Sequence, residues 1–126
     1  MVDLDAVRAA LLAPFADAFH CYPYPTGQPE TPGLVLPEIE RIAYHVVHCA
    51  TGIEITWRLL VFAADAETQN GLAVIEQAAA AVPFVLEGIA LDPPLWSNLV
   101  VTDQSNVRRH DNLDALSADF PFTLSI

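Results

Sequence analysis

Between Ile53 and Val61 every second residue is large and apolar: Ile53, Ile55, Trp57, Leu59 and Val61. Successive side chains of a strand point to opposite faces, so these five share one face. Glu54, Thr56 and Arg58 fall on the other, which turns apolar at Leu60 and Phe62. The chain must therefore contain a sheet with one dry side, and something must cover that side. The switch at Leu60 predicts a strand that passes from solvent under a helix or a neighbouring subunit. Residues 39–49 are also rich in β-branched and aromatic types, and Ala50-Thr51-Gly52-Ile53 carries the glycine of a tight turn. An antiparallel hairpin of 39–49 with 53–63 is expected.

Two segments carry helical spacing and can supply the cover. Leu4, Val7, Leu11, Phe15 and Phe19 recur at three and four residues behind Asp3, a natural N-cap. Pro14 is expected to kink or divide this helix near Ala10. A second helix starts at Asp65 with Leu72, Ile75, Ala79 and Val82 on one face, and the small residues 78–81 let it lie close to the sheet. Pro83 closes it or starts a further turn, with 84–91 as a bent continuation, and Asp92-Pro93-Pro94 is a firm break. Residues 21–33 hold Pro23, Pro25, Pro29 and Pro32 with Gly27 and Gly33, which predicts a loop or extended arm. Strands are expected at 98–102 and 120–126, with a short one at 107–110 between them. At 126 residues the chain fits one domain. The expectation is a single α+β domain over 1–126. Its mostly antiparallel sheet has four or five strands with two helices on one face, and a proline-rich arm spans about 21–37.

Charge narrows the partners. Five arginines and no lysine stand against sixteen acidic residues, a formal net charge of −11. Sequence-independent binding to nucleic acid or to anionic membrane needs a basic surface, so both are disfavoured. No positive n-region with an apolar run marks a secretory signal, and no apolar stretch is long enough to span a bilayer. A soluble protein made in a cytoplasm is expected.

Catalytic and metal motifs are weak. His45 and His48 point to opposite faces of a strand, and no ligands stand paired at zinc spacing around Cys49 or His20-Cys21. Cys21 and Cys49 read as buried thiols, since nothing local activates either. Neither Gly-x-Ser-x-Gly, nor a Walker loop, nor Gly-x-Gly-x-x-Gly occurs. The carboxylates read as caps and solvated faces. No catalytic residue, metal or cofactor is expected. Arg108-Arg109-His110 is the one positive cluster, placed in the loop between Asp103 and Asp111, and suits pairing with carboxylates within the chain or across a subunit contact. Trp96 reads as core first and interface anchor second.

The order of features resembles the tail terminator proteins of long-tailed bacteriophages, in the version carried by phages of high-GC actinobacteria. The resemblance rests on Leu4-Asp5-Ala6-Val7-Arg8-Ala9-Ala10-Leu11, the arm Cys21-Tyr22-Pro23-Tyr24-Pro25, and Pro32-Gly33-Leu34-Val35-Leu36-Pro37. It continues through Thr56-Trp57-Arg58-Leu59-Leu60-Val61, Thr68-Gln69-Asn70-Gly71-Leu72 and the last strand, Phe120-Pro121-Phe122-Thr123-Leu124-Ser125-Ile126. The chain departs from many members at Asp114-Ala115-Leu116-Ser117, where they carry a tyrosine-leucine pair. The resemblance implies a non-enzymatic virion protein at the tail–neck junction, assembled in a bacterial cytoplasm. It implies a homohexameric ring that caps the tail tube, stops its polymerisation and receives the neck proteins of the filled head. An acidic lumen would let genome DNA pass without specific binding. Tyr22, Tyr24, Leu60, Phe62, Trp96, Arg108 and Arg109 are the expected interface residues. A small acidic chaperone for a secreted or assembly protein is the competing expectation, as a dimer with an apolar groove.

Overall fold

A computed structural model describes residues 3–27, 29–47, 50–64, 69–102, 107–110 and 115–126, with backbone alone at 45–47, 50–51, 64, 69–70, 107–110 and 115. Two long strands form its centre: β4 (Ala50–Ala64) and β7 (Ala115–Ser125) pair antiparallel from Glu54 opposite Ser125 to Ala64 opposite Ala115. The outer side of β4 carries β3 (Arg41–Val47) along its first half and β2 (Gly33–Val35) along 60–62, and β1 (His20–Tyr22) adds parallel to β2. The outer side of β7 carries β5 (Asn98–Val101) along 122–125 and β6 (Val107–His110) along 115–118. The sheet thus has seven strands, all antiparallel except the β1–β2 pair.

The α+β class stands, but the sheet is larger than the expected four or five strands. Both ends of the proline-rich arm are themselves strands, because Pro23 and Pro32 lie just outside the ladder positions at which their missing N–H groups would matter. The hairpin also differs in detail. Gly52 and Thr51 pair with His45 and Val46 inside the ladder, so the connection falls at residues 48–49, which lie outside the described residues.

The helices sit where the alternation demands. In α1 (Leu4–Leu12) the Asp3 carboxylate accepts from the Ala6 N–H at 3.1 Å, and Val7, Leu11 and Leu12 are buried. The helix ends at Leu12 rather than near Ala10, and Pro14 sits in a 3-10 turn over Ala13–Phe15 that tightens the chain past the proline. The second helix, α2 (Gln69–Glu87), runs unbroken through Pro83. Burial of Val82 and Leu86 on either side offsets the roughly 3 kcal/mol an interior proline costs. Its buried stripe is Gly71, Ile75, Ala78, Val82 and Leu86, a rotation away from the expected one: Leu72 is 46% exposed, and Ala79, Ala80 and Ala81 face outward. The cap at Asp65 falls outside the described residues.

Both helices lie on the same face of the sheet. One core joins Val7, Leu11, Ile75, Val82 and Leu86 to Ile55, Trp57, Leu59 and Val61 of β4 and Ala118, Phe120, Phe122 and Leu124 of β7. Trp57 and Phe122 pair in register with ring centroids 6.0 Å apart. The apolar switch at Leu60 and Phe62 therefore needs a different account from the expected helix, since those residues point to the helix-free side.

Candidate functional site

The helix-free face is built from the even residues of β4 and the odd residues of β7: Arg58 opposite Pro121, Leu60 opposite Asp119, Phe62 opposite Ser117. Asp119 is only 4% exposed, placed there by a strand whose alternate residues Ala118 and Phe120 belong to the core. A carboxylate in such a position is costly without a cation. Arg58 supplies it, with Nη1 donating to Asp119 Oδ2 at 3.1 Å, and the same guanidinium is also held by Glu40 Oε1. Glu40 is placed by the linker between β2 and β3, where its own N–H donates to the Thr56 carbonyl at 3.1 Å.

These groups border a cleft of about 400 Å³ whose apolar wall is Pro25, Pro37, Leu60 and Phe62. It offers carboxylates, one guanidinium and the Ser117 hydroxyl, with no histidine or cysteine in the lining. Phe62 is buried and Leu60 half-buried here, and the arm, through Pro25, supplies part of the wall that the sequence assigned to a helix or a neighbour.

The arm is fastened from the opposite side. Arg8 of α1 lies with its guanidinium carbon 4.7 Å from the Tyr24 ring centre and 4.6 Å from the Trp57 ring, while Nη1 donates to the Pro23 carbonyl at 3.0 Å. Tyr24 donates its hydroxyl to the Asp5 carboxylate, and that bond, helped by the charge of Asp5, raises the phenol pKa above its usual value. The Trp57 indole N–H donates to the Pro37 carbonyl at 2.8 Å. Tyr22 accepts from the Glu30 N–H at 2.9 Å, closing the loop between β1 and β2. The two tyrosines expected at an interface thus have internal partners, although Tyr24 keeps half its surface in solvent.

Trp96 is half-buried after the Asp92-Pro93-Pro94 break, against the core and beside a hollow of about 270 Å³ with Ile89, Leu95 and Leu99. Next to it the Ser97 N–H and hydroxyl both donate to the Ser125 carbonyl. Arg108 and Arg109 lie on β6, paired with Ser117 and Leu116, and not in a loop. Their pairing with carboxylates concerns side chains outside the described residues. The structure does not gather the seven expected residues into one place: Leu60 and Phe62 line the cleft, the tyrosines hold the arm, and Trp96 lies near β5.

Arg58, Glu40 and Asp119 escaped sequence reading, being 18 and 61 residues apart. One local signal existed, a lone acid between the apolar residues Ala118 and Phe120. Cys21 is half-buried, its thiol 3.7 Å from the Phe19 carbonyl and 3.8 Å from that of Leu12, and burial pushes its pKa up. Cys49 and His48 lie outside the described residues, as does the His45 side chain. Among the described residues no group of three or more His, Cys, Asp or Glu is placed to hold a metal ion. No helix among them is long and apolar enough to cross a membrane.

No protein-family model matches this sequence, and no curated protein does. A solved structure does match: a chain in the virion of a native gene transfer agent (GTA) particle, with a TM-score of 0.64 and 24% identity. The match covers 96% of this chain and 84% of that one. The two chains share a fold. At this identity the likeness speaks for architecture.

Proposed function

We propose that this chain is a structural protein of a phage or phage-like virion, acting as a tail terminator. In this reading six copies form a ring that caps the tail tube, stops its growth and joins it to the neck. The observation that carries the reading is the fold shared, over 96% of the chain, with a component of a gene transfer agent virion. The motif order from Leu4 to Ile126 that resembles tail terminators supports the finer assignment.

Three features of the molecule suit that work. The cleft and the tethered arm form a surface with shape and charge, as a joint requires. Among the described residues β6 pairs only with β7, an arrangement that suits lateral contact between copies beside Arg108 and Arg109. A net charge of −11 per copy would repel DNA phosphates from any ring lumen, so genome DNA would slide through without being gripped.

The reading is tested by mixing the purified protein with the tube subunit of the same particle and imaging the products by electron microscopy. Shorter tubes, each bearing an extra six-fold ring at one end, are expected. Tubes of unchanged length with bare ends would refute it.

A further inference from the structure

Phe84 is the most exposed large apolar residue described, 79% in solvent, on a helix that buries Ile75, Val82 and Leu86 but also leaves Leu72 46% exposed. It projects from the outer side of α2, where its neighbours one and two turns back are Ala80, Ala81 and Gln77. Immediately beside it, Gln77 and Ala81 form the rim of a hollow of about 330 Å³ between α2 and the end of the first helical segment. The lining is almost wholly apolar, with Phe15, Phe19, Pro32, Val74 and Val85 as its walls. A knob and a hole of matching chemistry therefore lie side by side on one flank, and the knob does not fill its own hole.

Charge says what can cover this flank. A chain at −11 repels its own copies, and they can meet only where charge is sparse. Across the 19 residues of α2 the ionisable residues are Glu76 and Glu87, with Asp17 beside the far wall of the hollow. Alanines at 73, 80 and 81 let a second helix approach closely.

We infer that α2 is a self-pairing surface on which two copies meet through a two-fold axis, each seating Phe84 in the hollow of the other. Adjacency of knob and hole allows a two-fold operation, in which one rotation satisfies both contacts at once. A helix of 19 residues is about 28 Å long, which gives an interface at the small end of the specific range, so the pair is weak and reversible. This pairing concerns the free protein and uses a surface other than β6, so it goes beyond the ring reading and does not depend on it.

The test is sedimentation of the full chain over concentrations up to about 1 mM, with Phe84→Asp and, independently, Ala81→Glu at the rim of the hollow. Both positions are exposed, so the monomer fold is retained, as thermal melting of each variant would verify. Wild type is expected to shift from monomer to dimer, and each variant to weaken that shift on the order of 30-fold, the scale of losing one anchor residue. A mixture of the two variants keeps one intact knob and one intact hole, and is expected to pair more tightly than either variant alone. Wild type that stays monomeric throughout would overturn the inference and leave the hollow to a different partner. So would a Phe84→Asp protein that pairs as wild type does. The tube assay separates this from the proposed function: a monomeric Phe84→Asp variant that still ends tubes sustains both ideas, while one that pairs normally yet ends tubes sinks the pairing alone.

Discussion

The two faces of the central β4–β7 pair are made by the same strands, one residue out of step, and they are held by different physics. The helix face is apolar throughout, with Trp57, Phe120 and Phe122 each at 1% exposure or less. The helix-free face mixes Leu60 and Phe62 with Arg58, Asp119 and Ser117 around an open cleft. On the first face stability comes from removing area from water, about 25 cal/mol per Å². On the second it depends on whether charges brought out of water are matched.

The largest effect that would sharpen this contrast is Phe122→Ala. Its side chain is fully buried against Trp57, and the loss is expected to be about 3–5 kcal/mol in denaturant unfolding. Arg58→Ala comes next, at about 1–3 kcal/mol, because it takes the cation from a carboxylate held out of water. The double change Arg58→Met with Asp119→Leu should then recover most of that loss. If the double variant is no more stable than the single one, charge matching is not what governs the helix-free face.

Smaller again is Arg8→Ala, expected to cost on the order of 1–2 kcal/mol through lost stacking on Tyr24 and Trp57. It should also speed hydrogen exchange and proteolysis in the arm while leaving β4 and β7 protected. Raising the pH probes the same tether more gently. The Tyr24 phenol has its pKa raised in the folded chain by the bond to Asp5, so its contribution is complete below about 10 and is lost as pH climbs through the folded value. Arm protection should fall in that alkaline range in wild type but not in Tyr24→Phe, whose arm is already released from Asp5. The least of these effects concerns reactivity. Because burial raises the Cys21 pKa, its alkylation at pH 8, mapped by mass spectrometry, should run several-fold slower than that of an unstructured cysteine.

Much of the first face was legible from sequence. A strict period of two in 53–61 can mean little else, and Leu4, Val7 and Leu11 gave α1 its inner side. The α2 stripe was misplaced because alanine packs against a sheet or faces water with equal ease, leaving Leu72, Ile75 and Val82 to set the phase, and Leu72 faces water. Gly52 misled because a glycine in a hairpin can sit within the ladder as well as at its bend. The second face was nearly invisible, for a reason of distance along the chain. Which residue faces Arg58 depends on the β4–β7 register, and nothing local specifies that Leu60 will lie opposite Asp119. The β1–β2 pair was hidden likewise, since its strands are three residues each with a run of prolines between them.

Arg8 gives the molecule an economy of attachment. One planar cation touches the opening helix, the proline-rich strap and the central tryptophan together, so the three cannot be disturbed independently. Anything that grasped the first dozen residues would, by the same grip, loosen the wall of a cleft on the far side of the sheet. The beginning of the chain is in this sense a handle for a surface it never touches.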